Sequence, residues 1–147
     1  MPAIDTSDPT LLADALRAPL LRVARRLRQE AQRAGVSALD ALVLGQIKRQ
    51  PGVGVCDLAD AEQMSRPAMS GHVKRLEAAG WIVRAGRADD GRRTGLEITE
   101  DGAAQLDLIR QRRNDWLAAR LAKLTPEARE ALNAAQGPLL QLLSLEP

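Results

Sequence analysis

Val55 to Thr99 reads VCDLADAEQMSRPAMSGHVKRLEAAGWIVRAGRADDGRRTGLEIT, and this stretch decides the fold. Met69, Val73 and Leu76 recur at i, i+4 and i+7, which puts three apolar side chains on one face of a helix. Ser65 stands where an N-cap belongs, and Arg66 and Pro67 fill the first turn, where proline's missing N–H does no harm. Ala78-Ala79-Gly80 closes the helix, glycine being the usual residue just past a helix end. Upstream, Leu58 and Ala59 fit the buried side of a shorter helix from about Cys56 to Ala61. The second helix carries Arg66, His72, Lys74 and Arg75 against Glu77 alone. Two helices across a tight turn, the second so charged, suit a helix that enters a DNA major groove.

Trp81-Ile82-Val83 and Leu96-Glu97-Ile98-Thr99 read as strands, bulky or β-branched and bounded by glycine. Between them, RAGRADDGRRTG carries Arg84, Arg87, Arg92 and Arg93, with Asp90-Gly91 as turn chemistry. A hairpin too long for a two-residue turn and armed with four arginines suits a wing that reaches phosphates or the minor groove. Asp90 and Arg92 could also pair across the loop and hold its shape. The expected fold is mainly helical, α+β, with a winged helix-turn-helix at its centre.

At 100° per residue, the helix face opposite Met69, Val73 and Leu76 holds Pro67, Gly71, Lys74 and Ala78. An interior helical glycine costs about 1 kcal/mol relative to alanine. Gly71 therefore fits close approach of the helix backbone to DNA, with drift on an exposed face as the alternative. Arg66, Ser70 and Arg75 flank that face; an arginine there can take a guanine bidentately or hold a phosphate. Arg75 lies late in the helix and is assigned to a phosphate or to an ion pair with a wing acid. His72 is read as exposed, donating to a base or phosphate or simply solvated.

The ordered set Leu58-Ala59, Ser65-Arg66, Arg75-Leu76-Glu77, Gly80, Asp90 to Arg93, and Ile98-Thr99 with Gly102 resembles the MarR-type transcriptional regulators. No single tripeptide is specific, but the order is, and the flanking helices fit as well. The resemblance implies one domain over 1–147, with residues 37–99 as the DNA-binding unit and residues 10–34 and 100–145 as dimerisation helices. It implies a homodimeric repressor on the double-stranded DNA of a pseudo-palindromic operator. It further implies release by a small aromatic or anionic effector bound between the dimer helices and the DNA-binding unit. Many such regulators carry a basic side chain where Gly71 stands, so His72 or Lys74 would supply the base contact here.

Composition bounds the alternatives. The chain has 147 residues, two tryptophans and no phenylalanine or tyrosine, so its core must be built from aliphatic side chains. Net charge is +2, yet residues 51–102 hold more acids than bases. The bases cluster on the second helix and the wing, while Asp57, Asp60, Glu62, Glu97, Glu100 and Asp101 lie elsewhere. Clustering matters more than the sum, because charges act within a Debye length of about 8–10 Å. The acid excess keeps a second reading open, a winged-helix module that docks on protein without specific DNA binding. One cysteine excludes an internal disulfide, and one histidine with one cysteine argues against a metal site. No catalytic constellation or Gly-rich phosphate loop can be assembled, so an enzyme and any cofactor are not expected. Without a signal peptide or an apolar run of about 18 residues, a soluble cytoplasmic protein with no membrane partner is expected.

Residues from Thr10 to Ala34 show a helical pattern with six arginines, in which Pro19 predicts a kink or break. Those arginines are either a phosphate- or ligand-facing surface or a solvated face that also packs a dimer partner. Ser37 to Asp40 has capping-box spacing with Asp where Glu or Gln is usual. Leu39, Leu42, Val43 and Ile47 then form the stripe of a helix ending near Gln50, and Val53 to Val55 could add a strand to the wing's sheet. Thr99 is placed as the N-cap of a helix to about Leu124, and Thr125 as that of a last, leucine-rich one that asks for a partner. Cys56 reads as small and half-buried, with a redox role as the alternative. Trp81 is placed in a strand; Trp116 is read as core, or as the lining of an effector cavity.

Overall fold

The structure, a computed structural model, describes residues 5–86 and 94–145. The wing-tip expectations for Arg87, Asp90, Arg92 and Arg93 lie outside the described residues. The elements run α1 (Pro9–Arg33), α2 (Ala38–Arg49), α3 (Val55–Ala61), α4 (Arg66–Ala78), β1 (Ile82–Gly86), β2 (Thr94–Ile98), α5 (Glu100–Leu121) and α6 (Pro126–Ser144). Strands β1 and β2 pair antiparallel, Ile82 opposite Ile98 and Gly86 opposite Thr94, which makes the two stems of a wing. Two compact units result, Met1–Arg113 and Asn114–Pro147. Among the described residues, no helix is long and apolar enough to cross a membrane.

In the first unit the core is aliphatic, as the shortage of aromatics requires. Val43, Leu44 and Ile47 of α2, Leu58 and Ala59 of α3, and Met69, Val73 and Leu76 of α4 are buried together with Ile82 and Leu96. The expected α2 stripe is corrected at two places: Leu42 is exposed, and Leu44 is fully buried in its stead. Helix α2 turns a broader face to α3 and α4 than a single i, i+4 row, and Leu42 falls on the opposite side. The strand expected over Val53 to Val55 reduces to one bridge between Val53 and Leu96, because Val55 already opens α3 behind Gly54.

Helix α1 runs unbroken through Pro19, so the break expected there does not occur. A proline removes only its own N–H from the ladder, and the turns on both sides keep theirs. Asp8 caps the start by accepting from the Thr10 N–H at 2.8 Å. Of its arginines, Arg17 pairs with Asp14 at 3.1 Å and Arg33 with the buried Glu30 at 2.9 Å. Helix α5 docks on α1 through Ile109, which is buried with Ala31, Val36 and Ala41. Gln105 Nε2 and Arg113 Nε donate to the Ala34 and Leu27 carbonyls at 3.0 and 3.1 Å, fixing the register of that contact.

The end of α4 and the start of α5 meet in one knot. Gly80, at φ 77°, donates its N–H to the Glu77 carbonyl, and Trp81 donates to that of Leu76. This is the paired closure that a left-handed residue just past a helix allows. Trp81 is consequently spent on ending the helix rather than on starting the strand, which begins one residue later than expected. Thr99 caps α5 as anticipated, its Oγ1 accepting from the Gly102 N–H at 3.1 Å. The same hydroxyl donates to the Gly80 carbonyl at 2.6 Å, and the Thr99 N–H donates to the Trp81 carbonyl at 3.0 Å.

The second unit holds the end of α5 and all of α6. Trp116 is half-buried, with the Arg120 guanidinium 4.0 Å over its ring. Thr125 caps α6 by accepting from the Ala128 N–H at 3.2 Å. Helix α6 has no buried residue, and Leu132, Leu139, Leu140, Leu142 and Leu143 are exposed, the last at 85%.

Candidate nucleic-acid interface

Helix α4 is set by its cap. Ser65 is extended, and its Oγ accepts from the Ala68 N–H at 3.3 Å, so Arg66 and Pro67 open the helix. With Met69, Val73 and Leu76 held in the core, the helix turns a polar strip outward. Ser65, Arg66, Pro67, Lys74 and Arg75 are exposed, and Ser70, Gly71 and His72 are half-buried. A Cβ built on Gly71 would meet nothing within 4 Å, so the strip is open at its middle.

The charged groups fall into two sets. Arg66 and Lys74 make no ion pair with the described residues and are free to meet an anion. Arg75 and Arg84 are already engaged. Arg84, on β1, donates from Nε to Glu77 Oε1 at 2.9 Å, which ties the first wing strand to α4. Arg75 Nη2 lies 3.3 Å from Asp40 Oδ1 on α2, so among the described residues its ion-pair partner is Asp40. His72 corrects its expectation too. Its Nδ1 sits 2.6 Å from the same Asp40 oxygen, with side-chain exposures of 16% and 13%, so the ring points inward instead of lying solvated.

Sequence reading missed Asp40 because its partners are 32 and 35 residues away. The one signal was the odd capping box. Asp40 N donates to Ser37 Oγ at 3.0 Å, but its carboxylate turns to α4. Burial alone would raise the Asp40 pKa. The hydrogen bonds from His72, Arg75 and Ser37, with the Arg75 charge, outweigh it and hold the carboxyl below its usual value. The sign follows: this carboxylate stabilises the fold above the ordinary value near ~3.9, and the contribution is lost as pH falls through the lower folded value. Near neutrality Asp40 is an anion, so it accepts from both α4 side chains.

A groove of about 790 Å³ opens between α1, α2 and α5. Its floor includes Leu27, Leu39, Leu42 and Ile109, and Arg28, Lys48, Arg49, Arg110 and Arg113 line it with no carboxylate among them. Trp116 is not part of that lining. Cys56 is exposed, not half-buried, because α3 turns Leu58 and Ala59 inward and Cys56 away from them. Among the described residues, no three His, Cys, Asp or Glu side chains gather closely enough to hold a metal ion.

Comparison with known proteins agrees with this geometry. The model of the MarR family matches residues 34–93, from the end of α1 to the wing. An HTH-type transcriptional regulator of Mycobacterium tuberculosis is 30% identical over 141 residues, covering 96% of this chain and 98% of that protein. The crystal structure of a Pseudomonas aeruginosa protein, proposed as a transcriptional regulator, is 33% identical with a TM-score of 0.82, covering 97% of this chain and 99% of that one. At 21% identity, a mutant of Staphylococcus aureus MepR bound to an oligodeoxyribonucleotide shares the fold with a TM-score of 0.69 over 90% of this chain and 97% of that one.

Proposed function

This chain belongs to the MarR family of winged helix-turn-helix, DNA-binding transcriptional regulators, and from that premise we propose that it is a homodimeric repressor released by a small-molecule effector. The observation that carries the reading is the outward strip of α4, where the free cations Arg66 and Lys74 flank the open backbone at Gly71. Two such helices, one from each protomer, enter successive major grooves of a pseudo-palindrome, with Ser65, Pro67 and Ser70 beside the bases or phosphates. The wings, through Arg87, Arg92 and Arg93, with Asp90 shaping the turn and Arg84 tied to Glu77 at the stem, lie against the flanking minor grooves.

Two faces support the dimer. Helix α6 buries none of its leucines, and the 25-residue α1 buries only Glu30 and Ala31 while Leu16, Leu20 and Leu21 stay exposed. Isolated helices are marginal in water, and contiguous apolar faces of this kind find a partner, most simply a second copy across a two-fold axis. The groove supports the effector. Apolar walls with basic side chains and no acid suit a small aromatic or anionic molecule. Helix α2 lines the groove and also grips α4 through Asp40, so a ligand that shifts α2 acts on the DNA-binding helix by differential affinity.

The test is binding to the DNA upstream of its own gene at two salt concentrations, against an Arg92→Ala/Arg93→Ala variant. Tight binding that weakens steeply with salt, and at least tenfold further in the variant, is the expected result. Binding to no upstream DNA at low salt would replace this reading with the protein-docking module.

A further inference from the structure

The Asp40 cluster does more than link α2 to α4. One carboxylate oxygen receives His72 Nδ1 at 2.6 Å and Arg75 Nη2 at 3.3 Å, two side chains one helical turn apart on α4. Val43, Leu44 and Ile47 of α2 share a buried aliphatic core with Met69 and Val73 of α4. Apolar packing is non-directional and tolerates rotation of a helix about its own axis. Two charge-assisted hydrogen bonds that converge on one oxygen from side chains a turn apart do not. The arrangement also occupies Arg75, a cation that is still 58% exposed and stands next to Lys74 on the outward side.

We propose that Asp40 is a positioning residue, which holds Arg75 and His72 to α2 and so keeps them out of the DNA contacts of α4. It thereby fixes the rotational setting at which Arg66 and Lys74 meet the duplex. Arg75 is then a structural tie, not a phosphate ligand. The inference rests on α4 being the helix that meets DNA.

Salt dependence counts phosphate contacts and separates this role from simple stabilisation. Each neutralised phosphate adds about 0.9 to the slope of log K against log salt. The measurement is fluorescence anisotropy of the full-length protein with a mixed-sequence duplex of about three helical turns, between about 50 and 200 mM salt. For Arg75→Ala the slope is expected to match that of the unaltered protein, because no contact is lost. For Asp40→Ala it steepens by about 1.8, as the freed Arg75 of each protomer finds a phosphate, and Asp40→Ala/Arg75→Ala returns it to the starting value. Asp40→Asn, which keeps the shape and an acceptor without the charge, is expected to fall between. A slope lowered by about 1.8, one contact per protomer, in Arg75→Ala would show Arg75 already on a phosphate and overturn the proposal. So would unchanged slopes in both Asp40 variants. If Asp40→Ala fails to fold, Arg75→Ala and Asp40→Asn decide alone. A flat slope for the unaltered protein would instead overturn the assignment of α4 to DNA, and this inference with it.

Discussion

Replacing Arg66 and Lys74 together by alanine is expected to weaken duplex binding by 100-fold or more at moderate salt while leaving the fold intact. Both side chains are exposed, and neither has an ion-pair partner among the described residues, so their removal orphans no charge and opens no cavity. Surface substitutions of this kind usually change stability by no more than about 0.5 kcal/mol. Their loss is felt only in the complex. Two phosphate contacts fewer per protomer, four in the homodimer, should lower the salt slope by about 3.6, and a bidentate base contact by Arg66 would add about 1–3 kcal/mol of discrimination. The single variants divide these roles. Lys74→Ala should weaken binding to all sequences alike, whereas Arg66→Ala should also flatten preference among duplexes selected from a random pool. Anisotropy titrations on selected and mixed duplexes, with thermal unfolding as the control, read both effects. Unchanged affinity and slope in the double variant would remove α4 from the interface.

The legibility of this interface divides along the same line. Pro67, Lys74 and Ala78 were placed correctly on the exposed face of α4, and Ser65 as its cap, because that reading needed only the helical period and a cap, both local properties. The apolar triplet of α4, the closure at Gly80 and the cap at Thr99 were legible for the same reason. His72 and Arg75 were misjudged because their setting depends on Asp40, more than thirty residues upstream. No periodicity reports a partner at that distance. Pro19, where of the expected kink or break the break does not occur, and Trp81 differ in kind. There a local preference was read correctly but outweighed, by the continuity of a 25-residue helix in one case and by the backbone bonds that end α4 in the other. Leu42 shows the limit of stripe counting. A helix packed on two sides has more than one apolar face, and sequence alone does not say which faces the core and which the groove.

Helix α2 connects the two halves of the regulatory argument. Ala38, Leu42, Gly45 and Arg49 recur at three- and four-residue spacing along the groove, whereas Val43, Leu44 and Ile47 face the core that carries α4. A rigid helix with one side on the groove and another on α4 is the kind of element whose position two sites can bias. The coupling is reciprocal: a ligand that weakens DNA binding must itself bind less well to the DNA complex, by the same factor.

Gly102→Ala is expected to destabilise the fold strongly for a single added methyl. A Cβ there would lie 2.1 Å from the Trp81 carbonyl oxygen, 2.8 Å from Ile98 Cγ1 and 2.9 Å from the Trp81 carbonyl carbon. The obstacle is backbone that cannot easily retreat, since the Trp81 carbonyl accepts from the Thr99 N–H and the Trp81 N–H closes α4 on Leu76. Either α5 lifts away from the knot or those bonds break. Overpacking costs typically about 1–3 kcal/mol, and a backbone obstacle places this case at the top of that range. At about 2–4 °C per kcal/mol for a chain of this size, a fall in Tm of about 6–12 °C follows, read by circular dichroism. Gly71→Ala is the matched control. It is also a helical glycine, but nothing lies within 4 Å of its Cβ position, so the substitution should stabilise the helix by up to about 1 kcal/mol. The same methyl therefore carries opposite signs at two helical glycines, one on α5 and one on α4. If Gly71 is glycine because DNA approaches its backbone, Gly71→Ala will raise Tm and weaken duplex binding together. A rise in Tm with unaltered binding would mean that the backbone there stands clear of the duplex.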